Sequence, residues 1–217
     1  MTILNEAAHT GTPDSESPRW VPVVRAPGGP SLHPLIANRR SPRSLGGDAI
    51  APAVLERMLE AARWAPSSSN NQPWAFIVTR RDDTGAHAAL ADLLMGGNRV
   101  WAPQAPLLLV SMAQVTGADG KPRASAMYDL GLAVSQLVLQ ASAEGLMVHQ
   151  MGGFDRERAR DVLAIPEGWE PLAVIAIGVL GPPEALPDAM RAGETAPRMR
   201  KPLAEIAFNG RFGVPLR

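Results

Sequence analysis

Arg39-Arg40-Ser41-Pro42-Arg43 packs three guanidiniums and a hydroxyl into five positions, and Arg198, Arg200 and Lys201 form a second basic cluster late in the chain. A guanidinium grips phosphate or carboxylate through paired, charge-assisted hydrogen bonds. These stretches therefore suit an anion clamp, or equally a solvated basic turn. Pro66-Ser67-Ser68-Ser69-Asn70-Asn71-Gln72-Pro73 has a different inventory: short hydroxyl and amide side chains held between two prolines. Such a loop can hydrogen-bond a flat polar ligand, or simply connect two elements. Gly152-Gly153 lets a backbone approach a ring closely or makes an ordinary turn, and Asn98-Arg99 adds an amide and a cation after paired glycines. None of these groups is a ready nucleophile or general base. Polar donors without acid–base machinery suit a protein that holds a cofactor carrying its own chemistry.

The remaining composition removes other chemistries. There is no cysteine among the 217 residues, so disulfides, thiolate nucleophiles, zinc–thiolate sites and iron–sulfur clusters are out. The four histidines, His9, His33, His87 and His149, show no metal-ligand spacing, so no metal is expected. No Gly-x-Ser-x-Gly or Gly-x-Gly-x-x-Gly motif is present, and Gly120-Lys121 lacks the glycine and the Ser or Thr of a phosphate loop. Basic and acidic residues balance at 21 each, which gives no reason to expect nucleic acid or an anionic membrane as a partner. No run of about 18 apolar residues spans a bilayer. No basic, apolar leader opens the sequence. A soluble cytoplasmic protein is expected.

Elements must position the polar stretches. Residues 1–31, rich in Pro, Gly, Ser and acidic residues, read as a flexible N-terminal arm, and residues 32–217 as one domain with an extended C-terminal tail. A short helix from Leu32 through Ile36 precedes the arginines. Pro52 opens a helix with Val54, Leu55, Met58, Leu59 and Ala62 on one face, which Pro66 stops. A strand over Trp74–Thr79, a helix over Thr84–Met95 and a buried strand over Leu107–Met112 follow. Ser125–Glu144 predicts a helix apolar nearly all round, hence buried on several sides, with Gly145 as its cap. A short strand at Met147–His149 leads to the glycine pair, Asp155 caps a helix over Arg156–Leu163, and Leu172–Val179 is a further strand. The Pro/Gly-rich remainder carries one short helix around Leu203–Phe208.

With these in place, Arg39-Arg40-Ser41-x-Arg43 and Ala61-Ala62-x-x-Ala65-Pro66-Ser67-Ser68-x-Asn70-x-Gln72-Pro73-Trp74 resemble the paired motifs of the nitroreductase family of FMN-dependent oxidoreductases. Gly153-Phe154 and Arg198-x-Arg200-x-x-Leu203 follow in the family's order. The resemblance implies an α+β fold, with a central mostly antiparallel sheet wrapped by helices in an intertwined homodimer. It implies FMN at the dimer interface and NAD(P)H as co-substrate. Hydride would pass through flavin N5 to a nitroaromatic, quinone or similar flat acceptor in ping-pong fashion, with no protein nucleophile. An FMN-dependent dehydrogenase, a flavin-consuming enzyme and a non-catalytic flavin-binding or storage protein are the alternatives.

By the same resemblance Arg39, Arg40, Ser41 and Arg43 would contact phosphate and pyrimidine, and Arg198 and Arg200 would complete the phosphate site. Pro66, Ser67, Ser68 and Asn70 would come from the other subunit. Asn98 and Arg99 would approach the pyrimidine, and Gly152 and Gly153 would bring a backbone N–H to N5. A guanidinium near N1 and O2, Arg43 or Arg99, would stabilise the reduced, anionic flavin. One departure concerns the roof of the site: some relatives carry a long helical insertion where this chain has only the short 115–123 connection. That leaves the site more open or covered by the N-terminal arm.

Overall fold

The computed structural model describes residues 32–216. The expected flexible arm over residues 1–31 lies outside the described residues. Five strands form one sheet, β1 (Leu45–Gly46), β2 (Trp74–Arg80), β3 (Leu107–Gln114), β4 (Met147–Met151) and β5 (Trp169–Leu180), in the order β1-β5-β3-β2 with β4 also on β5. Every pairing is antiparallel. β5 is the spine. It pairs with β3 over Trp169–Ile177, with β4 over Val174–Gly178 and with β1 at Val179–Leu180.

Alternation along the strands divides the core in two. Leu107, Leu109, Val148, Ile175 and Ile177 face one cluster, which includes Met58 and Ala62 of α2 (Pro52–Arg63) and Leu130, Leu137 and Ala141 of α5 (Ala126–Ala143). Leu108, Val110, Met147, Val174 and Ala176 face the other. There they meet Leu90 of α3 (Thr84–Asp92), Trp101 of α4 (Asn98–Trp101) and Ala159 of α6 (Arg156–Val162). Helices thus cover both faces, the α+β arrangement expected. Local signals act as read. Pro52 stands in the first turn of α2, and Asp155 Oδ1 accepts from Arg158 N at 3.0 Å to cap α6. Gly145 (φ +77°) turns the chain after α5, where Leu146 N donates to Ala141 O and Gly145 N to Ser142 O.

Several elements differ from expectation. The first helix, α1, runs Pro34–Asn38, two residues later at each end than expected. The expected Thr84–Met95 helix ends at Asp92, because Met95 N donates to Gly153 O and Leu94 bridges to Phe154. Gly96 (φ +55°) then redirects the chain into α4. The stretch read as tail contains α7 (Asp188–Thr195), which starts directly after Pro187. The helix expected around Leu203–Phe208 is a single 3₁₀ turn, Leu203–Glu205. Among the described residues no helix is long and apolar enough to cross a membrane.

Candidate functional site

The arginine segment joins α1 to β1 and folds back over β4. The Nδ1–H of His149 donates to Pro42 O at 2.9 Å, and since a carbonyl only accepts, this fixes the tautomer. The His149 ring lies 4.6 Å from that of Trp101. Burial pushes the His149 ring below the usual histidine range, opposed by the Pro42 bond and assisted by the Arg43 charge. Two anchors come from the end of the chain. The Glu194 carboxylate, only 7% exposed, accepts from Arg43 N at 2.9 and 3.0 Å and from Ser44 N at 3.4 Å, while its carbonyl accepts from Arg40. Arg198 donates to the carbonyls of Ala37 and Arg39, closing the open end of α1.

Arg39, Arg40, Arg43 and Arg198 are thereby brought together. Ser41 is exposed, with its hydroxyl 3.4 Å from Arg39. Burial, then the Arg200 charge, holds Arg39 below the usual guanidinium range. Burial, then Arg39, Arg200 and Arg40, does the same to Arg198. Cations gathered at this cost suit an anionic ligand. Among the described residues Arg200 itself bonds only to the neighbouring Met199 carbonyl, and it is exposed. Arg39 also lines a cavity of about 170 Å³ with Gly131, Val134, Ser135 and Val138 of α5 and Gln150 of β4.

The Pro66–Pro73 loop is unusual in its backbone. Ser69 (φ 51°), Asn70 (φ 53°) and Gln72 (φ 46°) all occupy the left-handed region without being glycine, a strained arrangement that persists only when its surroundings hold it. The restraints are visible. Ser67 Oγ accepts from Gln72 N at 2.9 Å, Gln72 Nε2 donates to Asn70 Oδ1 at 3.1 Å, and Ser68 N donates to Asp129 Oδ2 at 3.2 Å. Asp129 is 2% exposed and also accepts from Ser125 Oγ at 3.1 Å. It sits in the first turn of α5, where the helix dipole favours a negative charge. Pro66, Ser68 and Asn70 lie on the surface, with Ser67 half-buried.

Gly152 and Gly153 leave β4 two residues beyond Gln150. A Cβ on Gly152 would meet nothing within 4 Å, so its backbone borders open space. Gly153 O accepts from Met95 N and from Asn98 Nδ2, and a Cβ on Gly153 would press on Asn98 at 3.1 Å. Asn98 thus belongs with the glycine pair. Arg99 is directed elsewhere: it donates to the carbonyls of Leu94 and Asp92 and lies 3.6 Å from the Asp92 carboxylate.

Sequence reasoning missed Glu194, Asp129 and His149. Asp129 had a signal, as the only charged residue between Arg123 and Glu144 in an otherwise apolar helix. Glu194 had none, being one acidic residue among several in a Pro/Gly-rich stretch.

The residue set fits FMN in donor chemistry: clustered guanidiniums for a phosphate, and a glycine backbone opening on space that a ring could approach. Comparison with known proteins agrees. The family model described as the nitroreductase family matches residues 36–100 and 90–179. A crystal structure described as an oxidoreductase containing FMN is 38% identical, covers 88% of this chain and 96% of its own, and superposes with a TM-score of 0.81. A 15.4 kDa protein encoded in the ask 5′ region of Mycolicibacterium smegmatis is 39% identical over 148 residues, 65% of this chain and 99% of that protein. A Thermus thermophilus protein named NADH dehydrogenase is 30% identical over 172 residues, 64% of this chain and 82% of its own. The chain belongs to the nitroreductase family.

Proposed function

We propose that this protein is an FMN-dependent oxidoreductase that draws reducing equivalents from NADH or NADPH and delivers them to flat acceptors such as nitroaromatics or quinones. The observation that carries the reading is the 2.9 Å hydrogen bond between His149 and Pro42. It ties the arginine segment to the strand that leads into Gly152-Gly153, so the phosphate-binding chemistry and the ring-accommodating backbone belong to one site. Bound FMN supplies a two-electron carrier between nicotinamide and acceptor. The chain's own residues bind and orient it. Arg39, Arg40, Arg43 and Arg198 hold the phosphate, with Ser41 and Arg200 at its edge. Gly152 and Gly153 offer backbone N–H groups to the ring edge, with Asn98 fixing their carbonyl side. The names of the FMN-containing crystal structure and the Thermus relative support the cofactor and the nicotinamide.

The Ser67–Asn70 loop serves the flavin of a second subunit in this reading. Asp129, which anchors that loop, and Gly131, which lines the Arg39 cavity, are two positions apart on α5. They project about 200° apart around the helix, so the two polar stretches of one protomer flank opposite sides of α5. A homodimer brings loop and arginines into one site. Large apolar side chains left exposed near the C-terminus, Met199, Leu203, Ile206 and Phe212, fit a chain that packs on a partner.

The test is the purified protein's visible spectrum and its anaerobic response to each nicotinamide. A yellow protein, or an apoprotein that takes up FMN, bleached by NADH or NADPH and recoloured by a quinone or nitroaromatic, supports the proposal. A colourless protein that FMN cannot reconstitute overturns it.

A further inference from the structure

Among the described residues only two carboxylates, Asp129 and Glu194, belong to buried residues. Each accepts a backbone N–H from one of the two polar segments of the site. The Glu194 contact is the more directed. One carboxylate receives two successive amides, Arg43 N and Ser44 N, while the carbonyl of the same residue receives Arg40. Residue 194 therefore sets the path of the chain at both Arg40 and Arg43. The Arg43 guanidinium also stands 3.9 Å from Oε1, so the same carboxylate pairs with the charge it positions. The preceding residue is shaped to the same purpose. A Cβ on Gly193 would come within 3.2 Å of Arg43 Nη1, so glycine leaves that guanidinium its place.

We propose that Glu194 is a positioning residue for the flavin phosphate: it holds the backbone of the arginine segment so that the guanidiniums converge on the anion, although it carries the same sign of charge as that anion. This inference rests on the FMN reading above. It makes a prediction of sign that electrostatics alone reverses. Removing a negative charge beside a cationic cluster should tighten an anion. Removing the group that shapes the cluster should loosen it.

The experiment is titration of apoprotein with FMN and, separately, with riboflavin, which lacks the phosphate. For Glu194→Ala, which removes both acceptor oxygens, the FMN dissociation constant is expected to rise about tenfold, the scale of a lost hydrogen bond to a charged group, with riboflavin affinity unchanged. Gly193→Ala retains the carboxylate but crowds Arg43, and should show the same phosphate-selective loss. If E194A does not fold, G193A alone decides. Unchanged or tighter FMN binding overturns the role assigned to Glu194, and so does an equal loss of both flavins. Wild-type protein that binds neither flavin overturns the FMN reading itself, whereas wild-type binding with unaltered variants overturns only the inference.

Discussion

Ser68 N donates to Asp129 Oδ2 across 3.2 Å, fastening a strained surface loop to the first turn of the most buried helix. Asp129→Ala leaves that amide and the Ser125 hydroxyl without their partner. Unfolding by denaturant should show a loss of about 1–3 kcal/mol. Asp129→Asn keeps an oxygen of the same shape and should recover most of it. Equal stability of all three proteins would remove the tether from the account of the loop.

Ser69 at φ 51° offers a test of the strain itself. Glycine occupies this region without steric cost, so Ser69→Gly should be neutral or more stable by up to about 1 kcal/mol. Ser69→Val places a branched Cβ in the same conformation and should be less stable by about 1–2 kcal/mol. Denaturant midpoints of the pair read the difference directly.

His149 sets a pH dependence. Its folded pKa lies below the ordinary value, chiefly through burial, so the native state takes up fewer protons than the unfolded chain as pH falls. The stabilisation is present above about 6.5, the ordinary histidine value, and is lost as pH falls through it toward the lower folded pKa. Thermal unfolding should show the wild type losing more stability than His149→Gln between about pH 7.5 and 5.5. Parallel curves would show that this ring does not drive the dependence.

The cationic cluster should declare itself through the phosphate. Arg39→Ala and Arg198→Ala each remove a guanidinium whose pKa is already lowered by burial and by its neighbours' charge. Each should raise the FMN dissociation constant about 10- to 100-fold. Riboflavin affinity should barely move. The Arg198 variant should also lose stability, because the Ala37 and Arg39 carbonyls lose their donor.

Much of this arrangement was legible in the sequence where local chemistry decides it. Pro52, Asp155 and Gly145 mark helix ends through their own side chains or backbone, and the structure uses each as read. Strands β2, β3 and β5 and helix α5 follow from apolar patterning. The arginine and Ser/Asn stretches were visible as inventories. What local pattern could not supply was the long-range partner. The break after Asp92 depends on Gly153 and Phe154, some sixty residues away. The roles of Glu194 and Arg198 exist only once α7 lies against the arginine segment, and α7 was hidden by the Pro and Gly content around it. Arg99, which the family resemblance would bring toward the pyrimidine, donates to carbonyls at the end of α3, a partnership no local pattern announces.

Among the described residues the arginine segment is held mainly by residues that follow it at a distance: His149, Val179 and Leu180 of β5, Glu194 and Arg198. During synthesis, residues 39–46 emerge well before any of these. Loop closure over more than a hundred residues makes such contacts slow to form. The cluster of positive charge therefore stays unformed until the second half of the chain has arrived, and the proposed cofactor site is among the last parts of the protomer to be completed. A nascent or truncated chain ending before β5 would carry the arginine segment without the means to arrange it.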